Sequence, residues 1–246
     1  MKKTLLAGCV AACLWPLMPA TAANIRAYTE AVPPLNFAQD GRVTGFASDL
    51  LREMAAEAGH SVQLEVMPWI RAYRTVKQQP GSALYSIVRN PEREALFKWV
   101  GPIAPRRIMV YAQASRPDVV IRQQQDLLRY RLGVLAESSA ASQLLQLGVP
   151  ATQLEYGQSD EVNLKKLLLG RADGVVMLDW AMRWQQKLQQ VDATRIRPVW
   201  TLDQRYQYWF AFNKDTDPAL LRSLQQALDR LRADGRLAAL RKRYGA

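Results

Sequence analysis

Short apolar runs alternate along the chain with stretches in which apolar residues recur at helical spacing. An amphipathic stripe over 46–58 ends at Gly59, because glycine commonly stops a helix, and a second helix is predicted over 69–76. The runs predicted as strands in this part are 25–28, 62–66 and 83–88. This order predicts the βαβ units of an open α/β sheet.

The same order returns after a proline-rich stretch at 102–105, which we interpret as a break between elements. Helices are predicted over 139–147 and 161–169, and a further helix opens at Asp217 and Pro218, an N-cap residue followed by proline at the first helical position. The predicted strands here are 108–112, 132–135, 153–156, 174–178 and 206–212. We therefore predict an α/β fold with two α/β units.

Residues 1–23 are typical of a secretory signal peptide. Lys2 and Lys3 precede a largely apolar run, and small residues follow it, as at a cleavage site. Cleavage would also remove Cys9 and Cys13, so the exported chain would contain no disulfide. Two alternatives carry less weight, namely an uncleaved membrane anchor and a lipid anchor on one of these cysteines.

Composition narrows the chemistry that the chain can perform. With 49% hydrophobic and 22% charged residues, a compact globular protein is expected. His60 is the single histidine and no cysteine follows the predicted signal peptide, so we expect no metal site and no cofactor. There is no glycine-rich phosphate loop and no G-x-S-x-G nucleophile elbow. The net charge is +11, but the arginines are dispersed, so we expect no nucleic-acid partner.

Three segments carry the most specific pattern. Residues 40–50 read D-G-x-x-x-G-F-x-x-D-L, residues 86–93 end in N-P-E-R, and residues 170–179 begin with G-R-x-D and end in aspartate. Together, in this order and behind a signal peptide, they resemble the extracellular solute-binding proteins of family 3, the polar amino acid binders of ABC importers. The resemblance covers nearly the whole chain after the signal peptide.

This resemblance implies the fold of a type 2 periplasmic binding protein. In that fold two α/β lobes are joined by a double-crossover hinge. On this template lobe 1 comprises 24–108 and 204–246, and lobe 2 comprises 109–203.

The resemblance also implies a binding site in lobe 1. Arg93 matches the family's carboxylate-binding arginine, and a guanidinium can clamp a carboxylate with two charge-assisted hydrogen bonds. Ser86 fits the family's pattern of hydroxyls, whereas Asn90 stands where the family commonly has threonine. In the alternative interpretation Arg93 is a surface residue paired with Glu92 or Glu94.

In lobe 2, Ser138 and Ser139 lie between a predicted strand and the start of a helix, where backbone N–H groups attract an anion. The resemblance places the second half of the carboxylate site there, and a plain N-cap serine is the alternative. Asp179 ends a predicted strand and matches the family's ammonium-binding aspartate. Its alternative role is to cap the helix that we expect to begin at Trp180.

Three further residues are candidates for the ligand site. Glu30 is a possible second partner for the ammonium group, with a solvated loop carboxylate as the alternative. Trp69 falls where the family places an aromatic ring that stacks on the ligand, and it could equally belong to the core. Phe37 is a weaker candidate for a wall of the site.

These expectations define a function. We predict a periplasmic solute-binding protein, a monomer without enzymatic activity, that closes on a small polar zwitterion such as an amino acid or a related carboxylate. Its partner would be the membrane permease of an ABC importer. The alternatives are an enzyme similar to cyclohexadienyl dehydratase and a sensory binding module, because the fold alone does not distinguish these functions.

Overall fold

The computed structural model of the chain describes residues 22–245. The predicted signal peptide, including Cys9 and Cys13, lies outside the described residues except for Ala22 and Ala23. No helix in the described part has the length and apolarity needed to cross a bilayer.

The first part of the chain forms a half-sheet with helices on both faces. Its strands are β1 (Asn24–Thr29), β2 (Phe37–Gln39), β3 (Arg42–Thr44), β4 (Ser61–Val66), β5 (Ser82–Val88) and β6 (Phe97–Gln113). Its helices are α1 (Phe46–Glu57), α2 (Trp69–Gln78) and α3 (Pro91–Glu94). β2 and β3 form a separate hairpin.

The second part adds the other half-sheet and then returns to the first. Its strands are β7 (Leu132–Leu135), β8 (Leu154–Gly157), β9 (Gly174–Leu178) and β10 (Ile196–Asn213). Its helices are α4 (Ser139–Gln146), α5 (Asp160–Leu168), α6 (Asp179–Leu188), α7 (Pro218–Ala233) and α8 (Arg236–Arg243). Asp217 caps α7 and Pro218 opens it, as predicted from the sequence.

The main sheet has the strand order β4-β1-β5-β10-β6-β9-β7-β8. β1 pairs in parallel with β4 and β5, and β7 pairs in parallel with β8 and β9, so each half is a small parallel sheet. The long strands β6 and β10 lie between the halves and are antiparallel to each other. The predicted α/β class is confirmed by this arrangement.

The predicted break at 102–105 is wrong, because β6 runs through these prolines without interruption. Over 97–107, β6 pairs with β10 on one side only. A proline there lacks a backbone N–H, but no second neighbouring strand needs a hydrogen bond from it. The strands predicted over 108–112 and 206–212 are consequently too short. Their partners in the ladder lie far away along the chain and cannot be inferred from local periodicity.

The middle of this long ladder is irregular. The pairing register shifts on both sides of Asp203, which lies opposite Ile108. Extra residues in one strand of a pair bend the strand and increase its twist. The predicted lobe limits after 108 and after 203 fall at this point, and the division into two lobes stays a prediction.

Separate cores support the two halves. One core packs α1, α7 and α8 against one face of the first half-sheet, with Ile25, Leu50, Phe210 and Leu228 all fully buried. Burial of each such side chain contributes about 1.5–3 kcal/mol. Trp180 of α6 also belongs to this core, so the second half of the chain packs directly on the first.

The first family segment, 40–50, has a structural explanation. Gly45 has φ +112, and a Cβ added there would lie 2.6 Å from the carbonyl oxygen of Leu35, so only glycine allows this close approach. The next residue, Phe46, is fully buried with its ring 4.9 Å from that of Trp180. Asp49 accepts a 2.6 Å hydrogen bond from the Tyr244 hydroxyl. This segment therefore secures α1 and the chain terminus.

Candidate functional site

Arg93 lies just after β5, on the short helix α3. The helix begins there because Asn90 caps it, accepting a 3.1 Å hydrogen bond from the backbone N–H of Arg93. The guanidinium donates to the carbonyl oxygen of Val88 at 3.2 Å and lies 5.3 Å from the centre of the Trp69 ring and 6.0 Å from that of Tyr73. These contacts orient the guanidinium group of Arg93 and leave most of its N–H donors without an acceptor among the described residues.

Arg93 has no carboxylate within ion-pair distance among residues 22–245. The alternative pairing with Glu94 is wrong, since Glu94 receives two hydrogen bonds from Arg89 at 2.6 and 2.7 Å. The Arg89 guanidinium also covers the ring of Trp209 at 4.7 Å. Two neighbouring arginines therefore differ sharply, one neutralised and one not.

Glu30 follows directly after β1, and its carboxyl is influenced by the positive charge of Arg93. Burial raises the pKa of the Glu30 carboxyl above its usual range, and the positive charge of Arg93 partly offsets this effect. No Lys or Arg nitrogen of residues 22–245 lies within 4.0 Å of it, so Arg93 acts on Glu30 through space rather than by contact. A partly desolvated carboxylate without a bonded cation favours a cationic partner.

Asp179 is the first residue of α6, and its side chain is only 6% exposed. One carboxylate oxygen accepts from Nε and Nη2 of Arg107 at 2.8 and 2.7 Å, and the other accepts from the backbone N–H of Trp180 at 3.0 Å. The capping alternative is wrong, because α6 begins at Asp179 itself and its N-cap residue is Leu178. The aspartate expected to face an ammonium group thus already holds a guanidinium of the chain.

Ser139 is contacted by a second arginine of β6. Nη2 of Arg106 donates to the Ser139 hydroxyl at 2.7 Å, and Nη1 donates to Asp203 at 3.3 Å. Asp203 also accepts from Nε of Arg205 at 2.9 Å, so two arginines share one carboxylate. Arg106 therefore connects α4 to the irregular middle of the β6–β10 ladder.

Tyr208 of β10 connects these groups. It is 5% exposed, and burial raises the pKa of its hydroxyl above the usual value. The charges of Arg106, Asp179 and Glu30 all act on this hydroxyl, so these groups lie in its vicinity. We define the charged cluster as Glu30, Arg93, Arg106, Arg107, Asp179, Ser139 and Tyr208.

The charged cluster brings together part of the residues predicted from the sequence. Glu30, Arg93, Asp179 and Ser139 belong to it, and Trp69 lies against Arg93. Arg106, Arg107 and Tyr208 were missed. They lie on the two long strands near the predicted lobe limits, and the dipeptide 106–107 beside such a limit was the available signal.

Four predicted residues do not belong to the charged cluster. Ser138 caps α4 by accepting from the N–H of Ala141, and Phe37 lies 5.7 Å from the ring of Trp184. Ser86 has φ +59, and its buried hydroxyl has no partner within the described residues. Asn90, besides capping α3, lines a groove of about 680 Å³ beside Arg89, Tyr206 and Trp209. Their roles as ligand contacts stay predictions.

The described residues contain no cluster of three or more His, Cys, Asp or Glu side chains placed to bind a metal ion. The cluster instead offers guanidinium groups, carboxylates and hydroxyls. Such groups recognise small charged and polar molecules by hydrogen bonds and charge. Two half-sheets joined by a pair of long crossing strands, with this charged cluster at their junction, define the class of type 2 periplasmic binding proteins.

The chain belongs to the bacterial extracellular solute-binding proteins, family 3, whose model matches residues 25–246. The resemblance inferred from the three sequence segments is therefore confirmed. The predicted type 2 fold is confirmed as well, by solved structures that share it.

Curated relatives include the membrane-bound lytic murein transglycosylases F. The protein from Stutzerimonas stutzeri (strain A1501) is 24% identical over 225 residues, which cover 89% of this chain and 46% of that protein. The protein from Pseudomonas putida (strain ATCC 700007 / DSM 6899 / JCM 31910 / BCRC 17059 / LMG 24140 / F1) is 27% identical over 227 residues. The chain thus spans about half the length of these relatives.

Solved structures resemble the whole fold. An ancestral cationic amino acid solute-binding protein aligns with a TM-score of 0.74 and 19% identity, covering 91% of this chain and 96% of that one. The arginine-, lysine-, histidine-binding protein ArtJ from Geobacillus stearothermophilus aligns at 0.66 and 18%, covering 90% and 94%. A histidine kinase sensor domain aligns at 0.69 and 19%, covering 89% and 94%. At these identities the likeness concerns the fold alone.

Proposed function

We propose that the protein is a periplasmic solute-binding protein that closes on a small polar zwitterion, an amino acid or a related carboxylate. One observation carries the proposal: among residues 22–245, Arg93 has no carboxylate partner, Glu30 has no bonded cation, and the charge of Arg93 acts on Glu30. A ligand with one carboxylate and one ammonium group supplies what each lacks. The family supports the same function, since its members bind extracellular solutes.

In this proposal Arg93 binds the ligand carboxylate. Its guanidinium is already oriented by Val88 and Trp69, so little side-chain freedom is lost on binding. A charge-assisted hydrogen bond from such a group contributes about 1.5–3 kcal/mol. The ring of Trp69 can also cover the apolar part of the ligand, although the guanidinium occupies one of its faces.

The ammonium group would bind on the side of Glu30 and Asp179. Glu30 gains more from it, because its carboxylate is partly desolvated and has no bonded cation within the part of the chain that the structure describes. Asp179 is already neutralised by Arg107, so an ammonium group would have to share or displace that guanidinium. Ser139 and Ser86 would supply hydroxyls, with Ser138, Asn90 and Phe37 at the margins of the site.

Closure of the two half-sheets on the ligand would allow a partner to distinguish the ligand-bound protein from the free one. The residues of the charged cluster come from both half-sheets and from the strands between them, so a ligand touching them favours the closed arrangement. The proposed partner is the permease of an ABC importer, and the proposed working form is a monomer in the periplasm. This importer role rests on the family alone.

Calorimetry against the common amino acids tests the function directly. We expect one class of amino acid to bind with a negative heat-capacity change, as burial of apolar surface requires. Arg93→Ala should weaken that binding by about a hundredfold, while Arg89→Ala, in the neighbouring and neutralised arginine, should leave it unchanged. If no amino acid binds, or if the two variants behave alike, the proposal is overturned.

A second candidate function is catalysis on the same scaffold. Burial raises the pKa of Glu30, a property that suits a general acid, and one similar structure is described as a precursor of cyclohexadienyl dehydratase. Incubation of the purified protein with prephenate or arogenate decides this alternative. Product that forms with the wild type and not with Glu30→Gln would replace the binding function by an enzymatic one.

A further inference from the structure

We propose that the ligand is an acidic amino acid, with one ammonium and two carboxylate groups, and that Arg107 selects it together with Arg106. This inference rests on the proposed function and specifies its substrate class. Arg93 would hold one carboxylate and the two arginines of β6 the other, across the junction between the half-sheets. Glu30 would hold the ammonium group.

The charge balance of the cluster supports an anionic ligand. Asp203 makes its closer contact with Arg205, at 2.9 Å against 3.3 Å to Arg106. With that pair set aside, the charged cluster contains three guanidinium groups, Arg93, Arg106 and Arg107, and the carboxylates of Glu30 and Asp179. Within the cluster the excess is one positive charge, which an acidic amino acid with a net charge of −1 neutralises.

Both arginines of β6 keep donors for a ligand. Nε and Nη2 of Arg107 both donate to the same carboxylate oxygen of Asp179. The Arg107 side chain remains 43% exposed, so its Nη1 can donate to a ligand. Arg106 is 11% exposed, and its Nη2 already reaches the Ser139 hydroxyl at 2.7 Å. A carboxylate beside Ser139 could therefore accept from this arginine and from the hydroxyl together.

Asp179 has a different role in this arrangement from the one the family resemblance suggests. Its carboxylate is nearly buried and fully bonded, to Arg107 and to the backbone N–H of Trp180. It therefore positions the guanidinium rather than receiving the ligand ammonium. The unpaired carboxyl of Glu30 is left as the ammonium partner, which places the positive group of the ligand near Arg93 and the second anionic group near β6.

The same geometry disfavours other amino acids. A lysine or arginine side chain would bring a cation towards Arg106 and Arg107, and like charges in a partly dry cleft repel strongly. A glutamine side chain fits sterically but lacks the charge that the excess guanidinium requires. Glutarate carries both carboxylates but leaves Glu30 without a cation.

Titration calorimetry with L-glutamate, L-glutamine, L-lysine and glutarate tests the inference. The wild type should bind L-glutamate more tightly than L-glutamine by about tenfold or more, and glutarate and L-lysine more weakly still. Arg107→Gln should lower the affinity for L-glutamate by about tenfold and change that for L-glutamine little. The double variant Arg107→Gln with Asp179→Asn avoids an unpaired buried carboxylate and should show the same loss.

Arg131→Gln is the matched control, because this half-exposed arginine contacts Asp173 away from the cluster. It should leave both affinities unchanged. Preference of the wild type for L-glutamine or L-lysine, or an unchanged glutamate preference in the double variant, overturns the inference and leaves the proposed function intact. If none of the four probes nor any other amino acid binds, the proposed function fails as well. Arg93→Ala should weaken L-glutamate and L-glutamine alike, which separates its role from that of Arg107.

Discussion

The two guanidinium–carboxyl combinations of the charged cluster differ in whether they touch. Arg107 and Asp179 form a close ion pair with a buried carboxylate, whereas Arg93 and Glu30 influence each other without a bond. The same two chemical groups are thus neutralised at one place and left open at the other. We call Arg93 with Glu30 the open combination, which suits an incoming zwitterion, and Arg107 with Asp179 the closed combination, in which the carboxylate holds the guanidinium in a fixed position.

The physical cause of the difference lies in the neighbours of each group. Arg107 precedes Ile108 in β6 and Asp179 directly follows β9, and the pairing of Ile108 with Leu178 in the sheet brings both side chains together. Arg93 is instead held by the carbonyl of Val88 and by the ring of Trp69. Glu30 is left with a raised pKa because no bonded cation offsets its burial.

The largest expected effect is that of Arg93→Ala on ligand binding. Loss of the charge-assisted hydrogen bonds should cost about 3 kcal/mol, a loss of about a hundredfold in affinity for the amino acid that the wild type binds. Calorimetry measures it, with Arg89→Ala as the control that keeps its affinity. A loss below about threefold would show that the open combination does not bind the ligand.

The closed combination should respond to mutation through stability, and asymmetrically. Arg107→Met leaves the carboxylate of Asp179 buried and without its cation, so we expect a loss of about 2 kcal/mol in the free energy of unfolding. Asp179→Asn leaves Arg107, which is 43% exposed and can turn to water, so the loss should be about 1 kcal/mol. Urea denaturation of both variants compares them, and equal losses would contradict the assigned difference in burial.

Glu30→Gln should separate binding from stability. The raised pKa means that the folded protein holds this proton more firmly than the unfolded chain, so the free energy of unfolding falls as pH rises from the ordinary pKa of a glutamate carboxyl through the raised one. The variant should remove this loss and melt at a higher temperature near pH 7. Its affinity for the ligand should nevertheless be several-fold lower, because the ammonium group loses its carboxylate.

Ligand binding by the wild type should depend on pH with the opposite sign. The ammonium group needs the ionised carboxylate, so affinity should weaken as pH falls through the raised pKa of Glu30 and this carboxyl becomes protonated. The affinity of Glu30→Gln should be nearly constant over this range. A parallel pH profile in the two proteins would assign the effect to another group.

The smallest expected effect is that of Tyr208→Phe. Its hydroxyl lies among charges of both combinations, and its removal should weaken binding about threefold while the buried ring keeps its packing. Arg93→Ala combined with Tyr208→Phe should show whether the two losses add. Additive losses would mean that the hydroxyl does not couple the two combinations.

Much of the fold could be predicted from local pattern. Strand β9 begins and ends where the apolar run predicted, and α7 begins at the predicted N-cap and proline. Both signals act over a few neighbouring residues, by alternation in one case and by capping in the other. The hairpin of β2 and β3 and the helix α3 were not predicted, because elements of three or four residues are too short to show a periodicity.

The candidate site was predictable only in part. Arg93 and Asp179 stand in recognisable segments, and hydroxyls next to a helix start are visible in the sequence. Arg106 and Arg107 follow two prolines that suggest an interruption, and Tyr208 reads as one more apolar residue of a strand. Their importance depends on which strands lie beside them.

The amino-acid sequence by itself determined the order of the longer strands and helices, the α/β class and the family, because these depend on short-range spacing and on residues within single segments. Tertiary structure alone decided that β6 passes unbroken through its prolines and that Arg107 reaches Asp179, a residue 72 positions away. Charges at such separations meet only after the sheet has paired its strands. Whether a carboxylate meets a ligand or its own chain is therefore settled by packing.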